Sequence, residues 1–264
     1  MHMPDAREVV DKKQRLMQYM AANGYNAVVM GRLENFAWFT SGASRRLIQP
    51  SEFGAALLVV TKENVFLIAQ TMDGPRILEE EIGGFGFEPV FLKWFEQSRE
   101  QKAEQMIKGL RTLSDIPLKG ADCLPSEFSH KLHFPLTDQE IEKSRWVAGK
   151  TDEIMRTVAD SIKPGTSERE IEAAFLYQCG QEGMSLDVIL IGSDERIDKF
   201  RHPCPTEKKV EKSVLLHIAP KKWGLHAAVS RMVYFGDQLP QETASKYDAA
   251  CRIQAAATSM CIPG

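Results

Sequence analysis

The sequence contains no long hydrophobic run and no excess of positive charge. None of its apolar stretches approaches the ~20 residues that a membrane-spanning helix needs. Its start, MHMPDAREVV, lacks the apolar segment of a signal peptide. The net charge of −3 gives no electrostatic reason to bind nucleic acid, and no basic face interspersed with aromatic residues is present. We therefore expect a cytoplasmic protein with neither a membrane nor a nucleic-acid partner.

Cysteine is also scarce. The five cysteines are scattered, odd in number and without C-x-x-C spacing, so we expect reduced thiols. What is present is ordinary for a globular protein: 43 % of the residues are apolar and 26 % are charged. A chain of 264 residues fits one large domain or two ordinary ones.

The first half alternates helical and strand patterns. Asp5 and Glu8 mark a helix start, and Gly24 is a natural stop. Residues 26–30 read as a buried strand, and 55–60 with 65–69 as a strand pair. Two further helices are predicted, a short one after Pro75 and a polar one over residues 97–113. This alternation favours an α/β layered domain.

The second half opens with two helices. Thr137 and Glu140 form a capping box, from which a long helix runs to Pro164-Gly165. Ser167 and Glu170 start the next helix, which ends near Gly180–Gly183. The charged residues Asp194–Arg196 are predicted to form a turn that either orients Arg201 or only solvates a loop.

Two strands are predicted further along, over residues 213–219 and 225–235, separated by Pro-Lys-Lys-Trp-Gly. The separation suits a hairpin with a longer loop. In that hairpin the strand centres face each other, with His217 in the first strand and Ala228 and Ser230 in the second.

This layout resembles the pita-bread family of methionine aminopeptidases, prolidases, Xaa-Pro aminopeptidases and creatinase. His202 matches the family's first histidine, and Ser230-Arg231 matches its Thr-Arg pair. His217 and Ala228 fall where the family has its two metal-binding aspartates. The N-terminal half shares the pattern Asn-Phe-x-Trp-x-Thr-x-Gly, which is carried here by Asn35, Phe36, Trp38, Thr40 and Gly42.

The resemblance implies an α/β creatinase/prolidase-type N-terminal domain over residues 1–134. The first half of an α+β pita-bread domain follows over residues 135–264. The family's second half, which supplies a histidine and two glutamates, has no counterpart before the sequence stops. Half of such a sheet leaves strand edges and apolar faces open, so we expect a homodimer.

A two-metal hydrolase needs bridging carboxylates that hold two cations about 3.5–4 Å apart. Ala228 has no ligand atom, and a lone histidine in a strand, such as His217, is more often a hydrogen-bonded structural residue than a metal ligand. We therefore expect neither a bound metal nor another cofactor.

The resemblance assigns the catalytic role to His202, which in the family reaches the substrate rather than the metals. Arg201 and Arg231 are expected to bind an anionic part of the ligand, and His217 and Trp38 to contact it. Two alternatives stay open: Arg231 forms a salt bridge that fixes the strand pair, or Trp38 is a core aromatic residue rather than part of a loop over the site.

The function expected from these residues is that of an Xaa-Pro peptidase/creatinase-family protein without a two-metal centre. It acts on, or binds, a small peptide-like substrate with a C–N bond. The alternative is a catalytically inactive member that serves as a binding or dimerisation module.

Overall fold

The computed structural model describes residues 5–44, 47 and 51–262. They divide by contact into two compact units. The first comprises Met1–Lys150 with Lys221–Ala227, and the second comprises Thr151–Pro220 with Ala228–Gly264. The predicted domain boundary between residues 134 and 135 stays a prediction.

The first unit is built on a six-stranded mixed sheet with the order β4-β3-β2-β1-β5-β6. Its strands are β1 (Ala27–Arg32), β2 (Phe53–Thr61), β3 (Val65–Gln70), β4 (Glu88–Leu92), β5 (Thr112–Ser114) and β6 (Ala121–Cys123). Its helices are α1 (Ala6–Asn23), α2 (Leu33–Phe39), α3 (Gly74–Arg76, continued by a π-helical turn over Ile77–Glu81), α4 (Arg99–Met106) and α5 (Glu127–Leu132).

Both faces of the central strand β1 are buried. Val28 and Met30 contribute to one apolar cluster, and Ala27 and Val29 contribute to the other, on the opposite face. A strand covered on both faces reads as a continuous apolar run rather than an alternating one. That pattern is the reason why residues 26–30 are recognisable as a strand in the sequence.

The predicted ends of α1 are confirmed. The Asp5 side chain accepts a hydrogen bond from the backbone N–H of Arg7, and Gly24 follows the helix in the left-handed conformation, with φ +71°.

Two predictions in the first unit are wrong. The polar helix predicted over residues 97–113 ends at Met106, because Gly109 turns the chain with φ +82° and Thr112–Ser114 pairs with β1 as strand β5. The segment around Trp38, which is a loop over the site in one of the two alternatives, is instead helix α2. In both cases pairing or packing with distant residues decides the local structure.

The second unit contains most of a four-stranded sheet with the order β10-β8-β7, in which β9 also pairs with β8. The strands are β7 (Ser185–Ser193), β8 (Ser213–Lys222), β9 (Leu225–His226) and β10 (Val229–Tyr234). The helices of this part of the chain are α6 (Asp138–Ser161), α7 (Glu168–Gln181), α8 (Glu195–Lys199) and α9 (Gln241–Ser259). Within the described residues, no helix is both long and apolar enough to cross a membrane.

The capping predictions for the two long helices are also confirmed. Glu140 N–H donates to Thr137 Oγ1 and Thr137 N–H donates to Glu140 Oε2 at the start of α6. Ser167 and Glu170 form the same reciprocal pair at the start of α7.

The hairpin connection is shorter than predicted. Strand β8 continues to Lys222, which pairs with Leu225, so that only Trp223 and Gly224 form the turn. Both have positive φ, +56° and +80°, as a type I′ turn requires. Tryptophan is unusual at the first of these positions, where Asn, Asp or Gly is typical. The two-residue turn is therefore not recognisable from the sequence.

Candidate functional site

His217 and Ser230 form a pair on one face of the second unit's sheet. The two residues are direct cross-strand partners in β8 and β10. His217 Nδ1 lies 2.8 Å from Ser230 Oγ, and both side chains retain solvent exposure. The prediction that the strand centres face each other is therefore confirmed, and one ring nitrogen of His217 is engaged by a hydroxyl.

Arg231 lies on the opposite face of the same sheet. It follows Ser230 along β10 and pairs with the fully buried Leu216, and successive side chains of a strand point to opposite faces. Its guanidinium donates to Asp152 Oδ1 of helix α6 at 2.7 Å. The structure thus does not bring Arg231 and His217 together. Arg231 instead forms a salt bridge, as one of the two alternatives expects.

Arg201 and His202 lie on a segment, residues 200–206, that we call the His202 segment. Both side chains are exposed. Within the described part of the chain, neither side chain forms a hydrogen bond or an ion pair. The next residue, Pro203, is buried: its carbonyl accepts from Ile191 N–H at 2.9 Å, and its ring lies where a side chain on Gly192 would be. The segment therefore presents His202 to solvent from a fixed backbone.

The charged residues before this segment do not orient Arg201. Asp194 accepts backbone hydrogen bonds from Glu211, Lys212 and Ser213, at 2.8–2.9 Å. Burial raises the pKa of the Asp194 carboxyl, but these hydrogen bonds outweigh burial, so that its pKa is lowered. Arg196 donates to the carbonyl of Cys204 at 2.7 Å. Both residues hold backbone, so the predicted role as a merely solvated turn is wrong.

The positions matched to the metal-binding aspartates do not fit a pair of bridged cations. Ala228 offers no donor atom, and His217 has one ring nitrogen engaged by Ser230. Among the described residues, no group of three or more His, Cys, Asp or Glu side chains is arranged to hold a metal ion.

Trp38 lies in the core of the first unit. It is 7 % exposed and belongs to the larger apolar cluster. Its ring stacks on His133 with a centroid distance of 4.6 Å, and the Lys12 ammonium lies 5.5 Å from its centroid. These contacts are the ones expected if Trp38 is a core aromatic residue. A contact between Trp38 and the ligand stays a prediction.

The sequence reasoning missed a buried ionic network in the first unit. Lys12 Nζ contacts Glu8 Oε1 at 2.6 Å and Glu140 Oε1 at 2.7 Å. Lys143 Nζ contacts Glu8 Oε2 at 2.7 Å and Ser41 Oγ at 2.6 Å. All five side chains are nearly inaccessible to solvent. Burial raises the pKa of Glu8, but the two lysines outweigh it and the pKa is lowered.

A signal for this network exists in the sequence. Glu8 and Lys12 precede Leu16 at intervals of four residues, so that both charges lie on the helix stripe that carries the apolar core residues. A charged pair within an apolar stripe indicates a buried ion pair.

Residues 142–264 match metallopeptidase family M24. This part of the chain is an M24 domain. No protein with a curated description matches the sequence.

Solved structures extend the likeness over almost the whole chain. An Xaa-Pro dipeptidase from Bacillus anthracis aligns with a TM-score of 0.69 at 17 % identity, over 91 % of this chain and 68 % of its own. The prolidase from Pyrococcus horikoshii gives 0.69 at 16 %, over 94 % and 71 %. A variant of Escherichia coli aminopeptidase P gives 0.74 at 14 %, over 100 % and 70 %. At such identities the likeness shows the fold. The predicted fold class is thereby confirmed. The predicted family is confirmed by the M24 match over residues 142–264, and the absence of its metal-binding aspartates stays a prediction.

The M24 domain contains most of the predicted site. Arg201, His202, His217 and Arg231 lie within residues 142–264, whereas Trp38 does not. In the M24 domain the structure thus displays one exposed histidine on a fixed segment and a separate His–Ser pair on the sheet.

Proposed function

We propose that this chain binds a small peptide-like ligand through His202, in an M24 domain without a two-metal centre. Relatives of the same fold are named as an Xaa-Pro dipeptidase, a prolidase and an aminopeptidase P, which supports a peptide-like ligand. The observation that carries the proposal is the exposed His202 on a segment whose neighbouring residue, Pro203, is locked against β7.

An exposed imidazole on a fixed backbone suits ligand recognition. It can donate or accept a hydrogen bond. Arg201 beside it adds a planar cationic donor for a carboxylate. Because the segment is already ordered, binding costs little additional backbone entropy.

The absence of a two-metal centre is part of the proposal. It is supported by Ala228 and His217 at the two positions matched to bridging carboxylates. Elemental analysis of the purified protein is expected to show no stoichiometric manganese, cobalt or zinc. Two metal ions per chain would contradict this, and His217→Ala would then show whether that side chain holds one of them.

The ligand is tested by calorimetric titration with glycyl-proline. The wild-type protein is expected to bind, and His202→Ala is expected to weaken binding at least about tenfold. The change in the free energy of unfolding is expected to stay below about 1 kcal/mol, as for most exposed substitutions. His130→Ala, which removes an exposed histidine in the first unit, serves as the control and is expected to bind like the wild type.

Several outcomes separate the alternatives. Release of free proline in the presence of a chelator would identify a metal-independent hydrolase, whereas binding without release would identify a binding module. No binding by the wild type, or unchanged binding by His202→Ala, contradicts the proposal. A large loss of stability in His202→Ala would make its role structural.

A further inference from the structure

We propose that Glu168 is a positioning residue that fixes the His202 segment to the second unit's sheet. Glu168 is the first residue of α7 and is completely buried. Within the second unit its two carboxylate oxygens bind two different parts of the chain. This inference rests on the proposed role of His202 in ligand binding.

The two oxygens of Glu168 divide their partners between the end of β7 and the end of the His202 segment. Oε1 accepts from Ser193 N–H at 2.8 Å and from Ser193 Oγ at 2.7 Å. Oε2 accepts from Thr206 N–H at 2.8 Å and from Thr206 Oγ1 at 2.7 Å. One side chain therefore connects strand β7 to the residue where the His202 segment ends.

Arg196 adds a second attachment. Its Nε lies 3.1 Å from Glu168 Oε1 as an ion pair, although its N–H is not aligned for a hydrogen bond. Its Nη2 donates to the carbonyl of Cys204 at 2.7 Å. Together with the Pro203–Ile191 hydrogen bond, these contacts hold the segment at residues 203, 204 and 206.

The charge of Glu168 strengthens this arrangement. Burial raises the pKa of the carboxyl group, but the hydrogen bonds from Ser193 and Thr206 outweigh burial and lower it. The ionised carboxylate accepts from four donors at once, and hydrogen bonds to a charged acceptor are stronger than those to a neutral one. A glutamine at this position would place its NH₂ group, which can only donate, against N–H and O–H groups that also donate.

Replacing Glu168 itself would leave several buried donors unsatisfied, so its effect on the segment could not be separated from a general loss of stability. A matched pair of variants avoids this problem. Thr206→Val and Ser193→Ala each remove one hydroxyl that donates to the same carboxylate at 2.7 Å. Only Thr206 lies in the His202 segment. Thr206→Val also removes an acceptor for Lys208 N–H, at 3.2 Å.

The first measurement is amide hydrogen exchange in the full chain, which needs no ligand. Thr206→Val is expected to increase exchange over residues 201–206, and Ser193→Ala is expected to leave it unchanged. Equal protection of the segment in both variants would overturn the positioning role, whether or not the protein binds a dipeptide.

The second measurement is the affinity for glycyl-proline. Thr206→Val is expected to weaken binding about tenfold, and Ser193→Ala less than about twofold. In a His202→Ala background, Thr206→Val is expected to have no further effect, because Glu168 acts through His202. Additive losses would overturn the inference. If the wild type does not bind, the proposed function fails while the exchange experiment still decides the positioning role.

Discussion

The charged side chains of this protein fall into two groups, those buried in ion pairs and those exposed to solvent. Lys12 and Lys143 are buried among Glu8, Glu140 and Ser41, and each ammonium has at least two oxygen partners. Removing one partner of a buried ion pair typically costs about 3–5 kcal/mol, because the other charge stays buried. Arg201 and His202, in contrast, are exposed and available to a ligand.

The burial of His133 makes the stability of the protein depend on pH. Burial, and secondarily the nearby Lys12 charge, lowers the pKa of His133 from 6.5 to about 4. In the unfolded chain the ring binds a proton near pH 6.5. Between pH 6.5 and 4 the unfolded state therefore holds more protons, and stability falls as the pH falls, by about 3 kcal/mol in total.

His133→Phe keeps a ring beside Trp38 and removes the titrating group. We expect urea unfolding to show a smaller loss of stability for the variant than for the wild type between pH 7 and 4.5, by about 2–3 kcal/mol. Carboxylates titrate in the same range in both proteins, so the difference between them isolates His133. Parallel stability curves would show that His133 is accessible to protons in the folded state.

The turn between β8 and β9 shows how tertiary contacts determine an element. Trp223 adopts positive φ, and its ring lies 5.1 Å from that of Trp146. The Lys222 ammonium lies 4.6 Å from the Trp146 centroid and 4.9 Å from the Trp223 centroid. These contacts offset the conformational cost of a bulky residue in the left-handed region.

Gly224, the second residue of that turn, should not tolerate a side chain. Gly224→Ala is expected to destabilise the protein by about 1–2 kcal/mol, because φ is +80° and the new Cβ would lie 3.0 Å from the Cβ of Ala37. Gly149→Ala provides the matched control. Gly149 lies inside α6 with nothing within 4 Å of a Cβ, so the same substitution should stabilise by about 0.5–1 kcal/mol. Chemical denaturation measures the change in the free energy of unfolding for both variants. A change of the same sign in both would contradict the assigned turn.

The two units differ in how completely their helices and strands are covered by other parts of the same unit. The first unit buries both faces of its central strand. In the second unit, β10 and β7 lie at the ends of the strand order, and α9 has no buried residue over its 19 positions. Tyr247 and Ile253 of α9 are 53 % and 71 % exposed. Most helical stability in proteins comes from packing of an apolar face.

We therefore expect a homodimer that covers α9. Light scattering at micromolar concentration should give twice the 29.7 kDa of one chain. Ile253→Asp should shift the mass to that of a monomer, because a charge would be buried in the interface. Val10→Asp, at another helical position that is 63 % exposed, should leave the dimer intact. A monomer mass for the wild type would contradict the expectation.

The helix caps and the most deeply buried strand can be predicted from short stretches of sequence. The caps at Asp5, Thr137 and Ser167 and the buried strand at residues 26–30 follow from residue types a few positions apart. Such interactions form within one element, so the sequence records them directly. The motif around His202 and the Ser230-Arg231 pair also consist of neighbouring residues, so they indicate the family from the sequence.

Which residues share a site depends on contacts between distant parts of the chain. The contacts of Arg231 with Asp152 and of Lys143 with Glu8 join residues 79 and 135 positions apart. Glu168 binds Ser193 and Thr206, which are 25 and 38 positions away. Residue types a few positions apart do not predict these pairs, because each pair forms only when helices and strands from distant parts of the chain pack together.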